Sequence, residues 1–364
     1  MPSTPAASVI GRRSFLRWSG LAAGAVGGAT LLAACGGGSD AGSAPAAPGS
    51  NAYGREAIQL SWIKNTEFAG EYMADSRGYY REAGFEGIDL LAGGSASTGV
   101  EANLVSGNCW AGLSAPALTA PAVLQGAPLK IVGATYQKNP FCIVSGAGNP
   151  IPEPRAMIGK RIGVQDSNDQ VWNGLLRANG IDPAQITRVP VQFDAAPLTT
   201  GEIDGYLAYI TNEPNSLTRR GFPNTTFLFA DHGLPLVAET VTVLQETIDN
   251  ERAKLKAFLR AEVRGWNDAV RDIPGVARLT VETYGRDLGL DIPGQVKEAT
   301  DQNALVVTDD TRANGLFTMT DVLVEENLRA LSLAGSTIAR EQLFDLSLLT
   351  EVYAEDPSLR VALP

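Results

Sequence analysis

Short apolar runs that alternate with amphipathic stretches of about a dozen residues constrain this chain more than any single residue does. Ile58-Gln-Leu-Ser-Trp-Ile has the two-residue period of a strand, and Phe68 to Ala83 has the period of a helix that stops at Gly84. Ile88-Asp-Leu-Leu is a second strand, and Gly93-Gly94-Ser95 opens the turn that follows it. Cys109 to Leu113, Ala117 to Gln125 and Leu129 to Tyr136 continue the series as strand, helix and strand. The rhythm then restarts. Met157 to Gln165 is a strand, and Ser167 is placed to cap a helix running on through Val171 and Leu175. Ile186 to Phe193, Ile203 to Tyr209 and Phe227 to Ala230 read as strands. From Thr247 the pattern is mostly helical, and Leu255, Phe258, Leu259, Val263 and Trp266 recur at helical spacing as core positions. The order implies an α/β chain of two lobes, each with a parallel, doubly wound sheet. Residues 56–146 form the first part of lobe 1, residues 147–238 form lobe 2, and residues 239–364 form a helical return to lobe 1.

The N-terminus predicts where the chain works. Arg12-Arg13-Ser14-Phe15-Leu16-Arg17 precedes an uncharged stretch, Trp18 to Ala34, that ends in Leu32-Ala33-Ala34-Cys35. A basic head, a short apolar middle and small residues before the cut describe a signal peptide over residues 1–35. The paired arginines are similar to a twin-arginine export signal. Leu-Ala-Ala-Cys resembles a bacterial lipobox, which makes Cys35 the lipidated first residue of the mature chain. Residues 36–55, rich in Gly, Ala, Pro and Ser, read as a flexible linker. The expected location is the outer face of the cell membrane, or the periplasm, with the membrane reached by the lipid alone.

Composition removes several classes of function. Hydrophobic residues make up 44% of the chain and charged residues 19%, which suits a globular body with an ample core. The net charge is −11, and removal of the three arginines in residues 1–34 takes the mature chain to −14. Nucleic acid needs clustered Lys and Arg, so it is not an expected partner. His232 is the sole histidine and sits in Ala-Asp-His-Gly-Leu-Pro, a turn. With Cys35 lipidated, Cys109 and Cys142 remain, and whether they pair is open at this level. No zinc pattern and no nucleophile elbow is present, so neither a metal, a cofactor nor an enzymatic centre is expected.

Several segments together resemble a known family. Trp62-Ile-Lys-Asn-Thr-Glu-Phe-Ala-Gly-Glu-Tyr-Met-Ala and Arg77-Gly-Tyr-Tyr-Arg-Glu-Ala-Gly-Phe are similar to the opening of ABC-importer binding proteins of the thiamine-pyrimidine-precursor group. Gln125-Gly-Ala-Pro-Leu-Lys-Ile-Val, Tyr136-Gln-Lys-Asn-Pro-Phe and Ile158-Gly-Lys-Arg-Ile-Gly-Val extend the likeness. So do Gly201-Glu-Ile-Asp-Gly-Tyr-Leu-Ala-Tyr-Ile-Thr-Asn-Glu-Pro and Ala257-Phe-Leu-Arg-Ala, the latter shortly before Gly265-Trp266. The resemblance spans roughly residues 58 to 270. It implies a two-lobed type II periplasmic-binding-protein fold, monomeric, with a small molecule clamped between lobes and an ABC permease and ATPase as partners. Relatives bind aminopyrimidine thiamine precursors or riboflavin, and more distant ones bind nitrate or sulfonates. The cysteine-rich motif of the related pyrimidine synthases is missing, and Phe68 stands where relatives often carry His.

Ligands of open α/β sheets bind at the carboxyl ends of strands. That rule selects Trp62, Asn65 and the adjoining Phe68, then Ser95, Ser114, Tyr136 and Gln137 in lobe 1. In lobe 2 it selects Asp166, Ser167 and Asn168 at one strand-to-helix turn, and Tyr209, Asn212 and Glu213 at another. Aromatic residues at such ends sandwich a flat ring, and amides with a carboxylate read its edge. Glu213 is also compatible with a simple helix start, because acids favour that position. Tyr79 and Tyr80 read as packing residues, and Glu67 and Asp231 as surface acids. No arginine lies at a predicted strand end except Arg161, which begins a strand, so a neutral or cationic ring fits better than an anion. An aminopyrimidine of the thiamine type is the first expectation, riboflavin or another heteroaromatic the second, and an alkylsulfonate or nitrate the third. An exported enzyme and a ligand sensor acting on a signalling receptor are the competing classes.

Overall fold

A computed structural model describes residues 52–94 and 97–364. The export signal, Cys35, most of the linker and Ser95 lie outside the described residues. Among the described residues ten strands follow in chain order: β1 (Arg55–Gln59), β2 (Gly87–Leu91), β3 (Ala111–Ser114), β4 (Leu129–Tyr136), β5 (Phe141–Gly146), β6 (Arg161–Val164), β7 (Thr187–Pro190), β8 (Gly205–Tyr209), β9 (Asn224–Leu228) and β10 (Ala238–Leu244). They form two five-stranded sheets, ordered β2-β1-β3-β10-β4 and β7-β6-β8-β5-β9. Each sheet is the floor of one lobe.

Two expectations change here. The segment Phe141–Gly146, assigned to lobe 1 by the 56–146 boundary, pairs antiparallel with β8 and β9, so the first crossover lies at residues 137–140. The return from lobe 2 begins with a strand, because β10 runs antiparallel between β3 and β4. Both sheets are therefore mixed. The physical reason is the same in each: a strand that enters from the opposite lobe runs against the parallel set. β10 is buried almost throughout although Thr240-Val241-Thr242-Val243 alternates, because it is a central strand. The two crossovers touch through Asn139, whose Nδ2 donates to the Leu234 carbonyl at 2.9 Å while its Oδ1 accepts from the Phe141 N–H at 3.0 Å.

The amphipathic stretch expected at Phe68 to Ala83 is a 3-10 turn (Thr66–Phe68) followed by helices Ala69–Ser76 and Tyr79–Glu82. Gly78 breaks them with φ of 80°. The first helix packs on helix Arg252–Ala269, which buries Leu255, Phe258, Leu259, Val263 and Trp266 as the spacing predicts. The two backbones meet at glycines. A Cβ on Gly265 would lie 2.2 Å from the Gly70 carbonyl, and a Cβ on Gly70 would lie 2.0 Å from the Trp266 ring. Tyr80 stacks on Phe258, and Tyr79 donates to Asp268 at 2.6 Å under the Arg264 guanidinium, so both tyrosines serve packing.

The C-terminal helices do more than return to lobe 1. Helix Asp321–Ala334 lies against helix Asp169–Ala178 of lobe 2 and helix Pro116–Leu124 of lobe 1, within one apolar cluster that draws on both lobes. Asn327 fixes it to the second crossover, accepting from the Val237 N–H at 2.9 Å. Cys109 and Cys142 are both free and buried, on different lobes, and burial pushes the Cys109 thiol up to about 11.

The glycine contact gives a direct test. Gly265→Ala should lower the thermal midpoint by at least several degrees, because overpacking a tight core costs about 1–3 kcal/mol. Gly99→Ala, where an added Cβ meets nothing within 4 Å, is the control. Equal midpoints for the two variants would refute the close helix contact.

Candidate functional site

The loops that follow β1 and β8 face each other across the seam between lobes. Asn65 caps the turn Thr66–Phe68 by accepting from the Glu67 N–H at 3.3 Å, and its Nδ2 donates to Asn212 Oδ1 of lobe 2 at 3.2 Å. Gln295, from helix Ile292–Val306, pins the same turn by accepting from Thr66 N and Oγ1 at 2.7 and 2.6 Å. So anchored, Glu67 is only 2% exposed, and its carboxyl lies among Glu239, Asn65, Asn212 and Ser61. Glu239, also 2% exposed, accepts from Ser61 Oγ at 2.7 Å. Its backbone sits at φ of 47°, a left-handed conformation that costs a non-glycine residue about 1–2 kcal/mol.

Two buried carboxyl groups close to each other disfavour the ionisation of both. Burial raises both above the ordinary carboxylate range, and Glu67 raises Glu239 further while Glu239 acts on Glu67 in the opposite direction. Further acids face the same place. Glu298 of helix Ile292–Val306 is raised by burial and then by Glu67, and Glu213 is pushed by burial up to about 7. Behind them, Glu71 and Glu262 form a second pair inside lobe 1, with Trp266 Nε1 donating to Glu71 at 3.3 Å and Tyr80 donating to Glu262. Among the described residues, Glu67 Oε2, Glu298 Oε1, Gln137 Oε1 and Thr211 Oγ1 are buried without a hydrogen-bond partner.

The residues selected from the sequence divide into those at the seam and those outside it. Asn65 and Asn212 meet across it. Trp62 reaches over to Phe193 of lobe 2, ring centroids 4.8 Å apart, as an aromatic contact at the rim. Gly93 lets the next loop press on this one, since a Cβ there would lie 2.2 Å from the Leu60 carbonyl. Tyr209 packs edge-on against Phe141 at 4.7 Å, and its N–H donates to Glu213 Oε2 at 3.0 Å. One Glu213 oxygen thus secures its own turn. Phe68 is fully buried beneath the turn. Tyr136 donates to Gln302 at 2.7 Å, and Gln137 donates to the Ala134 carbonyl at 2.7 Å, both buried. Ser114 is committed to Glu101, within lobe 1.

Asp166 and Ser167 are exposed, and Ser167 does not cap the helix: Asn168 occupies the cap position and donates instead to Gln165 at 2.9 Å. Asp166 and Asp169 hold Arg188 at 2.7 and 2.6 Å, which removes a cation that an anionic ligand would want.

Sequence reasoning missed two central residues. Glu67 was expected on the surface and is buried; Glu239 drew no notice. The available signal was an acid inside an apolar run, Leu-Val-Ala-Glu-Thr-Val, because unpaired acids rarely lie in buried strands. His232 lies in a 3-10 turn, edge-on to Phe227, as the turn reading has it. Among the described residues there is no cluster of metal-binding side chains, and no helix is long and apolar enough to cross a membrane.

Two sheets, two crossovers and a polar seam between the strand ends define a two-lobed protein of the periplasmic-binding-protein fold. The NMT1/THI5-like family model matches residues 65–273, more than half of the chain, and the chain belongs to that family. The riboflavin-binding protein RibY of Chloroflexus aurantiacus is 26% identical over 308 residues, covering 79% of this chain and 84% of that protein. The sulfonate-binding protein SsuA of Escherichia coli superposes with a TM-score of 0.59 at 12% identity, over 85% of this chain and 94% of SsuA. The desulfurization enzyme DSZB shares the fold at a TM-score of 0.56 and 13% identity, over 83% of this chain and 99% of that one. The last two likenesses concern the fold.

Acids with raised values carry stability that is complete below the ordinary carboxyl range and is lost as pH climbs through the raised values. The thermal midpoint of the ligand-free protein should therefore be highest near pH 5 and several degrees lower near pH 8. The decline should be smaller in Glu71→Gln. A midpoint constant between those pH values would contradict the buried-carboxyl arrangement.

Proposed function

We propose that this chain is the extracytoplasmic substrate-binding protein of an ABC importer and captures a small heteroaromatic nutrient in the seam between its lobes. The observation that carries the reading is the convergence of Glu67, Glu239, Glu298 and Glu213 on that seam. Clustered buried carboxyl oxygens accept hydrogen bonds and repel anions, so they favour a ring with several N–H donors or a positive charge. An aminopyrimidine of the thiamine type has that character. The Trp62–Phe193 contact supplies aromatic surface from both lobes, which suits a flat ligand. Sulfonate and nitrate fit poorly, because the guanidinium of Arg188 is already held by two aspartates. Riboflavin is the second reading, and the likeness to RibY over most of both chains favours it.

In this reading the export signal and Cys35 place the protein on the outer face of the membrane by a lipid, as a monomer served by a permease and an ATPase. Closure of the lobes about the two crossovers traps the ligand. No cofactor is needed, and the scarcity of nucleophiles and histidine supports binding over catalysis although an enzyme shares the fold.

Thermal unfolding of the mature domain against aminopyrimidines, riboflavin, an alkylsulfonate and nitrate tests the proposal. A true ligand at a hundred times its Kd adds about 2.7 kcal/mol of stability. A shift with an aminopyrimidine is expected; a shift with anions alone would overturn the ligand chemistry. Glu213→Gln keeps an oxygen for the Tyr209 N–H and removes only charge, so it should weaken an aminopyrimidine at least tenfold with folding intact. Unchanged affinity would remove Glu213 from the site.

A further inference from the structure

We propose that a cavity separate from the carboxyl-lined seam, between helix Glu213–Arg219 of lobe 2 and helix Ile292–Val306 of lobe 1, binds a small organic carboxylate. The proposal goes beyond the importer reading and does not depend on which ligand the seam takes.

The cavity holds about 510 Å³, within the range of small-molecule sites. Ile210 and Pro214 line it from lobe 2 and Pro293 from the facing helix, which gives it an apolar wall. Helix Ile292–Val306 sets it apart from the seam. Gln295 and Gln302 bond to Thr66 and Tyr136 on one face of that helix, whereas Lys297 and Asp301 line the cavity from the next face. Asn215 Nδ2 reaches across from lobe 2 to Asp301 Oδ2 at 2.7 Å, so the two walls are already joined at one point.

In a chain of net charge −11, two cations line this space from opposite lobes, Arg219 and Lys297. A Cβ on Gly294 would lie 2.7 Å from Arg219 Nη1 and 2.8 Å from its Cζ, so the guanidinium rests on the facing helix where a glycine leaves room. Its acid partner, Asp291, stands 3.5 Å from Nε, longer than an ordinary hydrogen bond. The fork is therefore open, unlike that of Arg188, which two aspartates hold at 2.7 and 2.6 Å. Lys297 pairs with Asp301 on its own helix, but its side chain is 57% exposed and such a pair is worth little in water. The amides compete poorly, because Asn215 and Asn224 spend their N–H groups on protein acceptors. The donors left to a ligand are chiefly those of the two cations. A carboxylate takes two parallel bonds from the guanidinium fork and a further one from Lys297, and its apolar body lies against Ile210, Pro214 and Pro293.

Isothermal titration calorimetry of the mature domain with benzoate tests the site, with benzamide as the uncharged probe of the same shape. Benzoate should bind, more weakly as salt rises, and benzamide should bind about tenfold more weakly than benzoate. Arg219→Gln should weaken benzoate about tenfold, and Arg188→Gln, outside the cavity, should leave it unchanged. Should Arg219→Gln fail to fold, as its thermal melt would show, Gly294→Ala decides. Its added methyl group meets only the side-chain ends of Arg219 and Asp291 and suits a helix, so that variant should fold and still weaken benzoate severalfold by moving the guanidinium. Absence of benzoate binding, equal binding of benzamide, or unchanged affinity in the Arg219 and Gly294 variants would overturn the site. Loss of benzoate binding in Glu213→Gln but not in Arg219→Gln would place the anion in the seam and overturn it too. Aminopyrimidine binding, measured separately, bears on the seam alone.

Discussion

The seam between the lobes is organised around two buried carboxyl groups, Glu67 and Glu239. Glu67 rides on a turn that Asn65 caps and Gln295 pins, and Glu239 stands just inside the strand by which the chain re-enters lobe 1. Ionising both would place two charges near each other without solvent, and burial holds both above the ordinary carboxylate range. That cost explains why Ser61, Asn65 and Asn212 all turn their polar atoms toward the pair. It also explains why the lobes meet on amides rather than on apolar surface: Asn65 and Asn212 satisfy each other at 3.2 Å while both address Glu67.

The remainder of the fold joins the two lobes firmly along one side of the seam. Asn139 ties the crossovers to each other, and helix Asp321–Ala334 shares an apolar cluster with both lobes. A rotation of the lobes about that side would break, among other contacts, the Trp62–Phe193 contact, the Asn65–Asn212 bond and the Asn215–Asp301 bond at 2.7 Å. Each is small, polar or partly exposed, which suits an equilibrium between open and closed states.

Most of the fold was legible in the sequence because period and turn residues report on local structure. The α/β order, the helix carrying Leu255 to Trp266, and the strand ends at Trp62 and Asn212 all follow from pattern. The crossing strands did not. β5 is read as a strand from its residues, but nothing in Phe-Cys-Ile-Val-Ser says which sheet it joins, since pairing is a long-range choice. β10 has the alternation of a strand in Thr-Val-Thr-Val, but nothing local says that it pairs back between β3 and β4. At the candidate site, residue type and position brought out Asn65, Asn212 and Glu213, whereas Asp166 and Ser167 are solvent-facing although they follow a strand. Glu67 was hidden because an acid is ordinarily a surface residue, and only the capped turn beneath it reveals that it points inward.

Carbon-13 NMR titration of the glutamate side-chain carboxyls in the ligand-free mature domain tests the buried Glu67 and Glu239 carboxyls most directly. Assignment by Glu67→Gln and Glu239→Gln identifies the two resonances. Coupled titration, with both groups above the usual carboxylate range, is the predicted result. Independent titration of both groups near pH 4.5 would contradict the account, because it would mean that the seam holds two solvated carboxylates.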